Sequence, residues 1–440
     1  MPPAVPPTPS PPTPSPPLSG IRVLDFTQNL PGPYATHVLA SLGAEVIKIE
    51  PPEGDTARGL GRLFDIVNAG KKSVVLDMKE EASRATLLEL VRSADVLVEG
   101  FRPGVMARLG YGAEHALRLQ PRLIYCSMSS YGQEGPYRDY PGHDLNFQAL
   151  SGVCHLSRDA DDRPVGPAIP MADLSSALTA TSAILAALLA RTQTGAGRFI
   201  DVALIDTVAS WSYLWGEGLV PSDARPSRSI AALRQKLDRR ERALPSFLRP
   251  FAVQISDALG SDSVQRVADT LGERVKRSDA YAALSRLRLH ALPHYALYRT
   301  FDDRWLSIAI VSEHKFWVAL CDALELPRVR GLPLLARVAA ASTLRRMIAR
   351  AVRKRTLAEW LNVLDRRSLP VAPVLTVPEA LADAHLAGRQ NHVASREGTV
   401  DASLLVCAPP ALVARPLTAA PELGADTDEV LASLAGGASA

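Results

Sequence analysis

Residues 21–26 read IRVLDF, and the same β-rich signature returns at 44–50 (AEVIKIE), 73–78 (SVVLDM), 95–100 (DVLVEG) and 122–129 (RLIYCSMS). Each run is bounded by turn or helix signals. Between the first two, Pro33–Leu42 carries a helical pattern stopped by Gly43, and Glu80–Arg92 carries a second. Alternation of strand and helix is the signature of parallel βαβ units. The expected fold class is α/β, with a Rossmann-like open parallel sheet forming a large domain whose ligand sites belong at the carboxyl ends of its strands.

The rest of the chain is read outward from that sheet. At 440 residues, 47% hydrophobic and 22% charged, it has material for two domains, and only 5% aromatic content predicts aliphatic cores. Residues 1–17, rich in Pro, Ser and Thr, lack the basic start and apolar core of a signal peptide and are expected to be a disordered tail. A large domain is placed at 18–219, a linker or insertion at 220–290, a smaller α+β domain at 291–370 and a return to the large domain at 371–434. In the small domain, YALYRTF and RWLSIAIV flank the turn pair Asp302–Asp303.

Other features narrow the function classes. From Asp173 to Arg191 apolar residues nearly surround a helix, and the 177–190 stretch is short for a bilayer, so a buried helix is expected and no membrane partner. A net charge of +3 argues neither for nor against nucleic acid, and the basic segment Arg234–Arg249 reads as a solvated helix face, so no nucleic-acid partner is expected. Cys126, Cys154, Cys321 and Cys407 are far apart without a C-x-x-C pair, which suits reduced thiols and a cytoplasmic setting. No His/Cys grouping has metal-ligand spacing, so no metal is expected. No G-x-G-x-x-G or Walker A pattern supports dinucleotide or P-loop chemistry.

Three places can carry chemistry. Gly142, His143, Asp144 and Asn146 follow the fifth β-rich run, where His143 ahead of an N-cap Asp144 is equally well a capping arrangement. Asp173 stands where the apolar helix begins: it either caps the first-turn amides or serves as a buried base or nucleophile. Glu313, at the strand-to-helix junction VSEHKFW, can do the first of these. A scattered basic set, Lys48, Lys71, Lys72, Lys79 and Arg102, lies near predicted strand ends, where phosphates find donors and surface lysines are also common.

The ordered series LSGIRVLDFTQNLPGPYATHVLASLGAEVIKIEPP (18–52), NAGKKSVVLDMK (68–79), DVLVEGFRPGVMARLG (95–110), PRLIYCSMSSYGQEGPY (121–137), GHDLNFQALSG (142–152) and RTQTGAGRFIDVALID (191–206) resembles the CaiB/BaiF family. That family comprises family III CoA-transferases and α-methylacyl-CoA racemases. The resemblance implies a homodimer of two interlocked rings, an acyl-CoA substrate and no permanently bound cofactor, coenzyme A entering as part of the substrate. It places Leu76, Asp77, Met78, Lys79 and Arg102 at the nucleotide part of CoA, with Lys48, Gly142, Asp144 and Asn146 as further candidate contacts. Asp173 falls where the transferases keep the carboxylate that forms anhydride and thioester intermediates, and where the racemases keep a base. Asp303 replaces the family's usual turn glycine, and Pro51 a common basic residue.

GHDLNF matches the racemase form G-H-D-x-N-[YF]. The leading expectation is racemisation or epimerisation of a 2-methylacyl-CoA α-carbon by two-base proton transfer between His143 and Asp173, with Glu313 supporting His143. The alternative is CoA transfer between carboxylic acids with Asp173 as nucleophile. A noncatalytic acyl-CoA or nucleic-acid binder is a third reading.

Overall fold

A computed structural model describes residues 15–60, 62–157, 163–215, 292–364, 369–385 and 417–437. The Pro-rich tail as far as residue 14, the insertion with the basic segment Arg234–Arg249, and Cys407 lie outside these residues. The chain divides into two compact units, Met1–Gly216 with Ala380–Ala440, and Glu217–Glu379.

The first unit is built on six parallel strands: β1 (Arg22–Phe26), β2 (Glu45–Glu50), β3 (Lys72–Val75), β4 (Val96–Glu99), β5 (Ile124–Ser129) and β6 (Arg198–Ala203). Their order is β3-β2-β1-β4-β5-β6. The order reverses between β1 and β4, which pair in parallel from Val23 against Val96 to Phe26 against Glu99. β1, β4 and β5 are buried on both faces, as parallel strands covered by helices must be.

The helices described in this unit as far as residue 215 are α1 (Pro31–Ser41), α2 (Arg62–Val67), α3 (Glu81–Ser93), α4 (Val105–Arg108), α5 (Ala113–Leu119), α6 (Asp144–Leu150), α7 (Val153–Leu156), α8 (Met171–Thr194) and α9 (Leu204–Trp215), and a further helix spans Thr427–Gly437. Helix α1 begins two residues earlier than its sequence pattern because Pro31 presets the first turn. The apolar helix α8 is 24 residues long, longer than the 177–190 stretch suggested and sufficient in length and composition to cross a membrane. In this unit it packs instead on α1, α9, β5 and β6, with Ala172, Ala177, Ala180 and Ile184 fully buried.

Beneath the carboxyl ends of β1 and β2 lies a buried network of charges. Lys71 Nζ is 2.8–2.9 Å from four oxygens: Asp25 Oδ2, Pro33 O, Thr36 Oγ1 and Asn68 Oδ1. Lys48 Nζ is 2.8 Å from both Asp55 Oδ2 and Thr27 O. Burial by itself would raise the Asp25 carboxyl, yet the cations of Lys71 and Lys48 outweigh it and hold that group well below the usual carboxylate range.

The last described residues close the sheet's β3 edge. The Ser73 amide donates to Asp426 Oδ2 at 2.8 Å, Ser73 O accepts from the Asp426 amide at 3.0 Å, and the Val75 amide donates to Thr427 Oγ1 at 3.1 Å.

In the second unit, β7 (Tyr295–Arg299), β8 (Trp305–Ala309) and β9 (Val371–Pro373) form an antiparallel sheet. Trp317, Leu320, Ile348, Val352 and Trp360 fill its core. This is the α+β unit expected, with one boundary moved. Val371–Pro373 pair with β8 and complete the small sheet, and the return to the first unit begins at Ala380. Asp303 holds the left-handed φ of 59° that the turn needs, and Arg353 Nη1 lies 2.6 Å from its carboxylate.

Lys71→Ala strands Asp25 as a buried charge and is expected to destabilise the first unit by about 3–5 kcal/mol. Replacing both partners with apolar residues of similar volume should recover most of that loss. Urea unfolding midpoints of the single and double variants measure both.

Candidate active site

The topological reversal opens a cleft of about 460 Å³ in the first unit. Its walls are the loop after β1 (Thr27–Gly32), the loop after β4 (Gly100–Pro103), the end of β5 with the segment through His143, and the start of α8 at Asp173. Neighbouring loops diverge at such a switch point, which leaves room for a ligand.

Each wall is held from below. Lys48 binds the Thr27 carbonyl, and Asp55 Oδ1 accepts the Asn29 amide at 3.1 Å, fixing Asn29 at a left-handed φ of 65°. Gly32 admits no side chain, because a Cβ there would stand 2.2 Å from the Thr27 Cβ. Glu99 Oε2 accepts the Phe101 amide at 2.7 Å, below the turn that presents Arg102. Burial, together with nearby Asp201, pushes the Glu99 carboxyl up to about 7 against the lowering effect of its hydrogen bonds. Gly142 passes so close to Phe147 that an added Cβ would lie 2.5 Å from its ring.

His143 and Asp173 line this one cleft together with Gly142 and Arg102. His143 is the N-cap residue of α6, and its amide donates to Asn146 Oδ1 at 3.0 Å, so Asn146 serves the helix start. Asp173 is the third residue of α8 and does not cap it. The orphan amides there, from Ala172 and Asp173, donate to Asp144 Oδ1 at 2.7 and 3.2 Å. Among the described residues the Asp173 carboxylate has no hydrogen-bond partner, and burial plus the Asp144 charge pushes it up to about 7.

Several expectations need correction. Lys48 is fully buried on Asp55 and Lys71 on Asp25, so neither reaches a phosphate; both anchor the sheet. Lys72 joins Glu45 and Glu429 at 2.9 Å. Asp144 spends its carboxylate on the α8 amides and the Gln148 side chain, not on a ligand. Leu76, Asp77, Met78 and Lys79 follow β3, two strands from β1, and do not line the cleft. Leu76 and Met78 pack partly on the core, the Lys79 amide donates to Asp77 Oδ1 at 2.9 Å, and the Lys79 side chain is exposed.

Glu313 belongs to the second unit. Its carboxylate accepts the Val311 and Ser312 amides at 3.0 and 2.9 Å, bonds that lower its pKa. Gln28, Asn29, Arg138 and Tyr140 also line the cleft and were not singled out in the sequence. The turn signal NLPGP and the polar loop after β5 were the available clues, but neither distinguishes a cleft wall from a surface turn.

A carboxylate and an imidazole facing a switch-point cleft rimmed by two arginines define an α/β unit equipped for acid–base or nucleophilic work on an anionic substrate. The chain belongs to CoA-transferase family III, whose profile matches residues 18–228 and 259–427. It is 33% identical over 377 residues to an acetyl-CoA:oxalate CoA-transferase of Acetobacter aceti, covering 82% of this chain and 81% of that one. It is also 29% identical over 387 residues to the human α-methylacyl-CoA racemase, covering 87% and 84%. In fold it matches a CAIB/BAIF family protein of Brucella suis with a TM-score of 0.68 at 23% identity, over 95% of this chain and 99% of that one.

The raised Asp173 carboxyl has a consequence for stability. A group whose folded pKa exceeds its unfolded value destabilises the fold as pH rises past the unfolded value, fully so above about 7. Asp173→Asn should therefore stabilise the first unit by about 2 kcal/mol near pH 8, with little effect near pH 4. Thermal melts of the two proteins at both pH values test this.

Proposed function

We propose that the chain transfers coenzyme A between carboxylic acids, with Asp173 as the nucleophile. The unbonded Asp173 carboxylate facing the cleft carries this reading. A carboxylate tied to helix amides would be a weaker base and a weaker nucleophile. The similarity to a transferase at 33% identity over 82% of the chain, above the 29% to a racemase, favours transfer over the racemisation expected first.

The chemistry balances as two exchanges. Asp173 attacks the thioester carbonyl of the donor, giving a mixed anhydride and CoA thiolate. The thiolate attacks the aspartyl carbonyl, forming aspartyl-CoA thioester and releasing the donor acid. The acceptor carboxylate then attacks that thioester, giving a new anhydride and freeing the thiolate again. Attack of the thiolate on the acceptor's acyl carbon yields the new acyl-CoA and restores Asp173. Arg102 and Arg138 supply charge at the cleft for anionic groups. The protein works as a homodimer.

Racemisation stays as the second reading because His143 lines the same cleft as Asp173. In that case Asp173 and His143 exchange the α-proton.

One experiment separates the two: incubation of the chain with acetyl-CoA, succinyl-CoA or a single enantiomer of 2-methylacyl-CoA in heavy water, with and without oxalate, succinate or glutarate. Acceptor-dependent CoA exchange without α-deuterium, a hydroxylamine-trapped adduct at Asp173, and a loss of at least about a thousandfold in Asp173→Ala are expected. Acceptor-independent inversion with α-deuteration, abolished by His143→Ala, would overturn transfer in favour of racemisation.

A further inference from the structure

The GHD segment has a second function-bearing residue besides its histidine. An aspartate in the first turn of a helix ordinarily folds back onto the free amides there, which lowers its basicity and ties it down. In α8 those amides are taken. Asp144 Oδ1 accepts from Ala172 and Asp173 at 2.7 and 3.2 Å, and its Oδ2 accepts from the Gln148 side-chain amide. Gln148 is itself 1% exposed and donates also to Ile169 O at 3.4 Å, so the Asp144 side chain is locked from behind.

We infer that Asp144 is the positioning residue of this site: it occupies the α8 amides from outside the helix, fixes the Asp173 backbone, and so leaves the Asp173 carboxylate unbonded toward the cleft. The inference deepens the reading of Asp173 as the reacting carboxylate and rests on it for its purpose, though not for its geometry.

A carboxylate at a helix start is stabilised by the macrodipole, but only one can sit on the amides. The second, held close to the first, feels its charge with no compensating donor. The pairing thus splits two acids by environment, Asp144 as the satisfied anion and Asp173 as the acid whose proton is retained to about pH 7. The other charged or titratable groups around the two are Arg102, Arg138, Tyr140 and His143 on the cleft and Cys154 near Asp144. None of them bonds to the Asp173 carboxylate.

Asp144→Asn removes the charge and keeps an oxygen for the amides. A Gln148 amide turned to accept from the new Asn gives up its bond to Ile169 O, so the melting temperature of this variant is read first. Asp144→Ala frees the amides for Asp173 itself. The test measures carbodiimide labelling of Asp173 against pH in the full chain, read by peptide mass spectrometry, beside thermal melting.

The wild-type labelling midpoint is expected near 7. Asp144→Asn should lower it by about one pH unit, a tenfold fall in protonated fraction at fixed pH, and Asp144→Ala by more. A cap that merely stabilises would lower the melting temperature of Asp144→Ala without moving the midpoint. An unchanged midpoint in an Asp144→Asn protein that melts like wild type overturns the inference; if that variant does not fold, Asp144→Ser replaces it on the same criterion. Hydroxylamine trapping runs in parallel: a shifted midpoint with no Asp173 adduct in any protein sinks the transferase reading while leaving the positioning role intact.

Discussion

One ammonium group holds together the part of the molecule that matters for chemistry. Lys71, with its Nζ among four oxygens, ties the end of β1 at Asp25 to the start of α1 at Pro33 and Thr36 and to the segment before β3 at Asn68. The loop Thr27–Gly32 is suspended between these anchored points, with Lys48 and Asp55 bracing it and holding Asn29 left-handed. Buried ion pairs are weak sources of net stability, since desolvation consumes much of their attraction. Their effect here is selection: a single arrangement of the β1–α1 turn satisfies all the buried charges, and that arrangement forms one wall of the cleft.

The parts legible in the sequence were those governed by local pattern. Five of the six parallel strands announce themselves as apolar runs, and Gly43, with its φ of 97°, ends α1 as its position implied. β6 escaped because Arg198, Phe199 and Asp201 interrupt it at the other edge of the sheet, where only Val202 and Ala203 are buried. His143 and Asp173 were found and do share a cleft. The role of Asp144 was hidden, since its partners lie 28 and 29 residues away and only the fold brings a loop onto the start of α8. The lysines failed for a related reason: a cation near a strand end looks the same in sequence whether it meets a phosphate or a buried carboxylate such as Asp25 or Asp55.

That one scaffold serves both transfer and racemisation in this family follows from the geometry of a thioester. The carbonyl carbon that a nucleophile attacks and the α-carbon that a base deprotonates are adjacent atoms. A single carboxylate on a rigid helix start reaches one or the other depending on how the acyl chain is seated. The cleft walls, more than the identity of the acid, therefore decide the reaction.

The β3 edge makes the order of synthesis consequential. The amides of Ser73 and Val75 find their partners at Asp426 and Thr427, more than 350 residues further along. At about 5–20 residues per second, a ribosome leaves that strand's outer edge open for roughly 20 to 70 s after it is made. An exposed edge is a template for pairing with other chains. The nascent protein is thus open to aggregation through most of its translation, and a chain cut short near its end would keep that edge permanently.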